Sequence, residues 1–139
     1  PTNKNDSLKP VLSIKAQVVA IKNIEEGQGV GYSHTFVAKK PMRVAIITMG
    51  YGDGLRRSLS NLGYMLVNKQ KAPIIGTISM DSCAIDISEI DGINLGDMVT
   101  VLGQDGDLSI GAEDWAKLSG TISYEILTSI SARLTRIIK

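Results

Sequence analysis

Three of the four tyrosines in this 139-residue chain, Tyr32, Tyr51 and Tyr124, lie in short segments with turn glycines, whereas the fourth, Tyr64, begins a predicted strand. Tyr32 directly follows Gly31, Tyr51 lies between two glycines, and Tyr124 lies four residues after Gly120. Glycine lets a backbone approach a ligand closely, and binding and catalytic residues occur more often on loops than in cores. The positions of these phenol groups therefore predict a functional site rather than a part of the hydrophobic core.

Met80 is a fourth candidate, because it lies between Ser79 and Asp81 at the end of a predicted strand. A methionine is by default a core residue, but backbone amides at a strand end can turn toward a ligand. In that case the backbone of Met80 makes the contact and its side chain is incidental.

Each tyrosine also has a structural explanation that the residues alone leave open. Tyr32 fits a strand position with a packed ring and a hydroxyl at the surface. Tyr51 fits a loop built around the Asp53-Gly54 turn pair. Tyr124 opens a predicted helix, where amide groups favour an anion, but one tyrosine there is a weak signal for phosphate.

The other reactive side chains indicate no second site, and no metal site is predicted. Cys83 lies in an alternating apolar run, which favours a buried, inert thiol over a nucleophile. His34 has no cysteine or second histidine to join it as a metal ligand, so we expect a solvent-facing strand histidine. Four aspartates lack the spacing of a carboxylate pair or a metal loop and are interpreted mainly as turn and cap residues. They are Asp81, Asp86, Asp91 and Asp97.

Composition narrows the class of protein. The formal net charge is +1 and the fifteen basic residues are scattered, so we expect no nucleic-acid partner. No apolar run approaches the ~20 residues that span a bilayer, and residues 1–9 lack a signal-peptide pattern. A single cysteine cannot form an internal disulfide, which fits a reducing compartment. We expect one domain over residues 1–139, located in the cytoplasm and without membrane contact.

Alternation and turn spacing predict a mainly β fold. Apolar and polar residues alternate over residues 11–18, and the consecutive Val18 and Val19 shift the register, which predicts a bulge or bend. Short runs bounded by Gly, Asp, Asn or Pro predict the remaining strands. These cover residues 32–38, 44–49, 64–67, 73–78, 83–87, 98–102 and 134–138.

Two short helices are predicted near the carboxy terminus. Residues 112–118 place Trp115 and Leu118 at helical spacing, with acidic residues in the first turn and Gly120 after the last. Thr121 or Ser123 can cap a second helix that runs to about residue 130. The predicted fold is a small β-barrel-like domain with these two helices near its end.

Five segments, taken in order, resemble the carboxy-terminal domain of alanine racemases. They are Gly31-Tyr32, Gly50-Tyr51-Gly52-Asp53-Gly54, Gly76-Thr77-Ile78-Ser79-Met80-Asp81, Gly96-Asp97 and Gly120-Thr121-Ile122-Ser123-Tyr124-Glu125. The resemblance runs from about residue 11 to residue 136, and Ile130-Ser131-Ala132-Arg133 falls where the family ends its last helix. Any one segment is a weak signal, but five in this order are a strong one.

The resemblance implies a pyridoxal phosphate enzyme of fold type III that interconverts L- and D-alanine for cell-wall peptidoglycan. In that family an amino-terminal α/β barrel carries the lysine that binds the cofactor. A barrel of about 250 residues does not fit into this chain. We therefore expect residues 1–139 to be one domain of a longer or split protein, inactive in isolation.

The resemblance also implies roles for the four candidate residues. Tyr32 matches the catalytic tyrosine, which exchanges a proton on the face of the substrate Cα opposite the lysine. The Met80 backbone amide matches the contact to the substrate carboxylate, and Tyr51 matches an aromatic residue at the substrate entrance. Tyr124 matches a tyrosine that contacts the cofactor phosphate. In the family the first three reach into the partner subunit's site and the last serves its own, which implies a head-to-tail homodimer.

Two positions depart from the family pattern, and two alternative functions stay open. Ser33 replaces the glycine that usually follows the catalytic tyrosine, and Thr77 stands where many members have arginine at the entrance. One alternative is the same domain of a membrane-linked serine/alanine racemase of glycopeptide resistance, although the retained Tyr124 favours alanine. The other is a non-catalytic β-barrel that serves as a binding or dimerisation module.

Overall fold

The structure is a computed structural model that describes residues 9–139. The expectation that residues 1–9 lack a signal-peptide pattern concerns a segment of which residues 1–8 lie outside the described residues. Within residues 9–139, no helix is long and apolar enough to cross a membrane.

Nine strands and two helices are formed by the described residues. They are β1 (Ile14–Ile24), β2 (Gly29–Val30), β3 (Phe36–Val37), β4 (Met42–Ile47), β5 (Tyr64–Val67), β6 (Gln70–Ile75), β7 (Cys83–Asp86), β8 (Met98–Asp105), β9 (Leu108–Ile110), α1 (Ala112–Ser119) and α2 (Ser123–Thr128).

Seven of the strands form one sheet in the order β1-β4-β7-β6-β5-β8-β9, and a further pairing of β1 with β8 brings its ends together. In this ring of strands, β5 and β8 are joined at one register pair, Leu66 and Thr100. β9 extends from β8 outside the ring, and β2 and β3 form a separate two-stranded sheet. The prediction of a mainly β domain with two short helices is confirmed, although the sheet is not a clean barrel.

β1 changes its partner along its length. Residues 14–17 pair with β8, whereas residues 18–24 pair with β4. The register in the β4 pairing shifts between Val18 and Ala20, next to the change of partner. The predicted irregularity at Val18-Val19 is therefore confirmed, and it allows one strand to join two neighbours.

Aliphatic side chains and one tryptophan fill the interior of the sheet. Ile47, Leu66 and Ile85 are completely buried, and Trp115 of α1 is 1% exposed in the same core cluster. α1 extends the predicted 112–118 by one residue and ends at Gly120, whose φ of 67° is the left-handed conformation expected of a capping glycine. Of the two residues that helical spacing placed on α1, Trp115 is in the core, whereas Leu118 is 37% exposed.

The predicted strand over residues 32–38 is wrong. Tyr32–His34 form a 3-10 turn, and only Phe36–Val37 are in a strand. Ser33 has a φ of 58° and His34 a φ of 45°, and both values are incompatible with extended backbone. Tyr32 is consequently not a strand tyrosine, and His34, although exposed as expected, lies on the turn rather than on a strand.

The carboxy-terminal expectations need two corrections. Residues 134–138, all of them described, form no strand; Leu134 packs against the core, whereas Ile138 is fully exposed. α2 ends at Thr128, and Ile122 rather than a hydroxyl residue occupies its N-cap position. Thr121 does not cap the helix because its hydroxyl donates to the Glu125 carboxylate instead.

Candidate active site

Tyr32, Tyr51 and Met80 lie on three neighbouring turns of one exposed surface, which we call the loop face. It comprises residues 32–34, 50–54 and 79–82. The side chains of Tyr32, Tyr51 and Met80 are 71%, 45% and 52% exposed, so none of them contributes to the core. Large side chains exposed in this number on turns favour a functional explanation over a structural one.

The 50–54 turn lies directly against the 79–82 turn. The Tyr51 N–H donates to the Ser79 carbonyl and the Gly52 N–H donates to the Met80 carbonyl, each at 2.9 Å. A Cβ atom on Gly50 would lie 2.2 Å from the Ser79 oxygen, which no side chain tolerates. Gly50 is therefore required for this close approach, as the sequence predicted for a glycine beside a site.

These contacts fix the direction of the Met80 amide. The Ser79–Met80 peptide is trans, so its C=O and N–H point in opposite directions. Because the carbonyl points to Tyr51, the Met80 N–H points away from the 50–54 turn. Among the described residues this N–H has no hydrogen-bond partner, which leaves it available to an anionic ligand.

The Tyr32 turn is attached to the segment that leads to Met80. Gly31 forms a parallel bridge with Thr77, and the Thr35 and Thr77 hydroxyls lie 3.0 Å apart. Asn61 strengthens this junction, because its amide nitrogen donates to the Thr35 hydroxyl and its oxygen accepts from the Gly76 N–H. These contacts connect the Tyr32 turn to Thr77, three residues before Met80.

Arg133 bridges two of the turns by hydrogen-bonded ion pairs. Its Nε donates to Asp53 Oδ1 at 2.7 Å, and its Nη2 donates to Asp81 Oδ1 at 2.6 Å. The Asp53 carboxylate and then the Asp81 carboxylate raise the pKa of the Arg133 guanidinium. Sequence reasoning missed this contact because it interpreted the aspartates as turn residues. Its one signal was the Ser-Ala-Arg segment at residues 131–133.

Tyr124 lies on a separate element, the first turn of α2, and is 69% exposed. α2 is attached to the end of the 50–54 turn, because Arg56 Nη2 lies 2.6 Å from Glu125 Oε1. The Thr121 hydroxyl and the Arg56 guanidinium lower the pKa of the Glu125 carboxyl. Tyr124 therefore lies on a helix that is tied to the residues just after the 50–54 turn, and not on the loop face itself.

The four candidate residues do not line either of the two main depressions in the surface of residues 9–139. Two shallow depressions, of about 390 and 300 Å³, are lined by other residues, among them Lys15 and Lys69 in the first and Arg43 in the second. Within residues 9–139, no group of three or more His, Cys, Asp or Glu side chains is arranged to hold a metal ion.

Cys83 takes no part in this surface. Its thiol is buried in β7, and burial raises its pKa to about 12. A thiol that stays protonated at neutral pH is a poor nucleophile. The expectation of a buried, inert cysteine is confirmed.

The fold and the loop face define a mainly β domain that carries exposed tyrosine and methionine side chains on its turns. The family described as "Alanine racemase, C-terminal domain" matches residues 11–138. An alanine racemase from Sorangium cellulosum is 48% identical over 133 residues, which are 93% of this chain and 35% of that protein. This chain belongs to the alanine racemase carboxy-terminal domain family.

Solved structures agree with this assignment. Alanine racemase from Bartonella henselae with covalently bound pyridoxal phosphate superposes with a TM-score of 0.89 at 38% identity, over 97% of this chain and 37% of that one. Alanine racemase from Bacillus anthracis with bound L-Ala-P gives a TM-score of 0.87 at 38% identity, over 94% and 33%. The chain spans about a third of the length of the relatives it matches.

Proposed function

We propose that this chain is the carboxy-terminal catalytic domain of a pyridoxal phosphate-dependent alanine racemase that interconverts L- and D-alanine. One observation carries the proposal: the Met80 N–H, which has no hydrogen-bond partner among residues 9–139, lies on the loop face together with Tyr32 and Tyr51. The names of the relatives support alanine as the substrate class. The remaining walls of the site come from a domain that binds the cofactor.

Met80 holds the substrate through its backbone. A carboxylate accepts hydrogen bonds well from a backbone N–H that points out of a turn, and this interaction does not depend on the side chain. Tyr51, on the adjoining turn, narrows the approach to the substrate. The 52% exposure of the Met80 side chain is consistent with a residue that contacts a ligand outside this domain.

Tyr32 moves the proton. When bound, pyridoxal phosphate withdraws electrons from the substrate Cα and so acidifies its hydrogen. Racemisation then requires two groups on opposite faces of Cα, one to remove the proton and one to return it. The Tyr32 phenol supplies one of them, and its exposure on a turn allows it to reach across an interface into a second polypeptide.

Tyr124 fits the cofactor as one contact among several. Its phenol is exposed at the start of α2, where it is free to donate a hydrogen bond to a phosphate. Because Tyr124 is on a different element from the loop face, one chain can contribute to two sites. The resemblance to the family implies a homodimer in which each chain supplies the loop face to its partner's site, and this arrangement is compatible with it.

An assembled racemase tests the proposal. It consists of this chain fused behind the part of the Bartonella henselae alanine racemase that the chain does not match. The assembled protein is expected to convert L- to D-alanine, and neither part alone is expected to do so. Failure of the assembled, correctly folded protein to bind pyridoxal phosphate and racemise alanine overturns the proposal.

The stand-alone binding module is not favoured by the structure. A module that binds a small molecule alone needs a concave pocket, and the two main depressions among the described residues are lined by none of the four candidates. Calorimetric titration of the 139-residue chain with alanine, serine and pyridoxal phosphate separates the two functions. The racemase proposal expects no binding in any titration.

A further inference from the structure

We infer that Arg133 is a positioning residue that holds the Met80 amide in the direction needed to bind the substrate carboxylate. This inference rests on the proposed function. Among the described residues, Arg133 makes no hydrogen bond to the Tyr32 or Tyr51 hydroxyl or to the Met80 N–H. It acts through the two aspartates that it joins and through the Met80 carbonyl, which accepts from its Nη2 at 3.5 Å. Its side chain is 45% exposed and lies over the junction between the 50–54 and 79–82 turns.

The first contact of Arg133 stabilises the 50–54 turn. Asp53 is buried, and its two carboxylate oxygens have separate partners: Oδ1 accepts from Arg133 Nε, and Oδ2 accepts from the Gly50 N–H at 2.9 Å. The Asp53 carbonyl also accepts from the Ser131 N–H at 3.1 Å. The carboxylate therefore orients the start of the turn whose Tyr51 N–H holds the Ser79 carbonyl.

The second contact stabilises the other turn. Arg133 Nη2 binds the carboxylate of Asp81, the residue that follows Met80. A Cβ atom on Gly52 would lie 2.8 Å from Arg133 Nη2 and 3.0 Å from the Met80 oxygen, so the guanidinium lies closely over this glycine. Arg133 thus acts on the Ser79–Met80–Asp81 backbone in three ways: through the Tyr51 turn, through the Asp81 carboxylate and directly at the Met80 carbonyl.

A guanidinium is suited to this task because its planar fork binds two carboxylates in fixed directions. Lysine carries a single ammonium group without that fork. Removal of the fork frees the 79–82 turn to rotate, and the Met80 N–H then points at the carboxylate for only part of the time. Because that hydrogen bond exists in both the ground state and the transition state, its loss raises KM more than it lowers kcat.

The test uses Arg133→Gln, Arg133→Lys and Asp81→Asn in the assembled racemase, with Arg136→Gln as the matched control. Arg136 is an arginine that donates only to carbonyls of its own tail among the described residues. We expect KM for alanine to rise about tenfold or more in Arg133→Gln, with kcat changed by less than about threefold. Arg133→Lys is expected to be intermediate, and Arg136→Gln to match the wild type.

Asp81→Asn keeps the experiment interpretable if Arg133→Gln fails to fold. The Asp81 side chain is 71% exposed, and its substitution leaves the Arg133–Asp53 pair intact. We expect KM for alanine to rise in Asp81→Asn as well, by a smaller factor than in Arg133→Gln. A fall in kcat and in thermal stability with KM unchanged in both variants shows a purely structural role and overturns the inference.

A measurement on the 139-residue chain separates this inference from the proposed function. Amide hydrogen exchange of Tyr51 and Gly52, which donate to the 79–82 turn, is expected to accelerate in Arg133→Gln while that of Ile85 in the core stays slow. Unchanged exchange at Tyr51 and Gly52 overturns the inference whatever the assembled protein does. An inactive wild-type assembly overturns the proposed function instead.

Discussion

The sheet core and the loop face of this domain are stabilised by contacts of different kinds. Ile85 and Trp115 are buried among many apolar neighbours, and burial of apolar area stabilises without regard to direction. Gly50 and Arg133 act through a few directional hydrogen bonds of 2.6 to 2.9 Å. We therefore expect core substitutions to change mainly the free energy of unfolding, and loop-face substitutions to change mainly the direction of the Met80 N–H.

Trp115→Ala, which truncates a core side chain, has the largest expected effect. Because Trp115 is 1% exposed in the core cluster, truncation leaves a cavity and is expected to lower the free energy of unfolding by about 3–5 kcal/mol. Urea unfolding of the 139-residue chain measures it. Leu118→Ala, in the same helix and 37% exposed, is the control and is expected to cost about 1 kcal/mol or less. Equal costs in the two variants contradict the account of the core.

Gly50→Ala disturbs the close contact between the 50–54 and 79–82 turns of the loop face. The added methyl group meets the Ser79 and Met80 backbones at 2.2 to 2.4 Å, so the two turns must separate. We expect a loss of about 1–3 kcal/mol of unfolding free energy and, in the assembled racemase, a larger loss of activity than that stability loss explains. Gly111→Ala is the matched control, because its Cβ would meet its nearest neighbour at 3.6 Å with a φ of −100°. Normal activity of Gly50→Ala in the assembled racemase counts against the role of this contact.

Glu125→Gln has the smallest expected effect of these substitutions. The Thr121 hydroxyl and then Arg56 lower the pKa of the Glu125 carboxyl from its ordinary value of 4.5. A carboxyl with a lowered pKa stabilises the fold above its unfolded pKa, and this contribution is lost as pH falls through the folded pKa. We expect a higher urea midpoint for the wild type than for Glu125→Gln at pH 7, and a difference that shrinks as pH falls below about 4.5.

Glu89→Gln is the control for this titration. It removes an exposed carboxylate that lies 3.7 Å from Lys40 and is expected to leave the midpoint nearly unchanged. A difference between wild type and Glu125→Gln that grows on acidification has the wrong sign and refutes the assigned ion pair.

The sequence was most informative where structure is set by near neighbours in the chain. Alternation identified β1, and the paired Val18 and Val19 marked its bulge, because both signals come from residues that share one strand. β5 was predicted to the residue, since Tyr64–Val67 end at a turn in which Asn68 and Lys69 both take positive φ. Local patterns suffice for such elements.

Long-range contacts explain the errors. Ser33 and His34 adopt positive φ in a turn that is tied by Gly31 to Thr77, so an apolar pattern over residues 32–38 could not reveal it. Arg133 lies 80 residues from Asp53, and no spacing along the chain predicts that pair. The candidate tyrosines were found from their glycines, but the groups that orient the site depend on the completed fold.

Whether the loop face supplies a proton-transfer group is tested most directly with Tyr32→Phe in the assembled racemase. Racemisation and Cα–H exchange are both measured in deuterated water. The control is Tyr64→Phe, which removes the hydroxyl of a strand tyrosine that contacts Lys71 and lies outside the loop face. We predict that Tyr32→Phe lowers racemisation by about 10²-fold or more while one enantiomer still exchanges its Cα hydrogen without inversion. Racemisation of both enantiomers by Tyr32→Phe at the rate of Tyr64→Phe would contradict the claim that the loop face supplies one of the two proton-transfer groups.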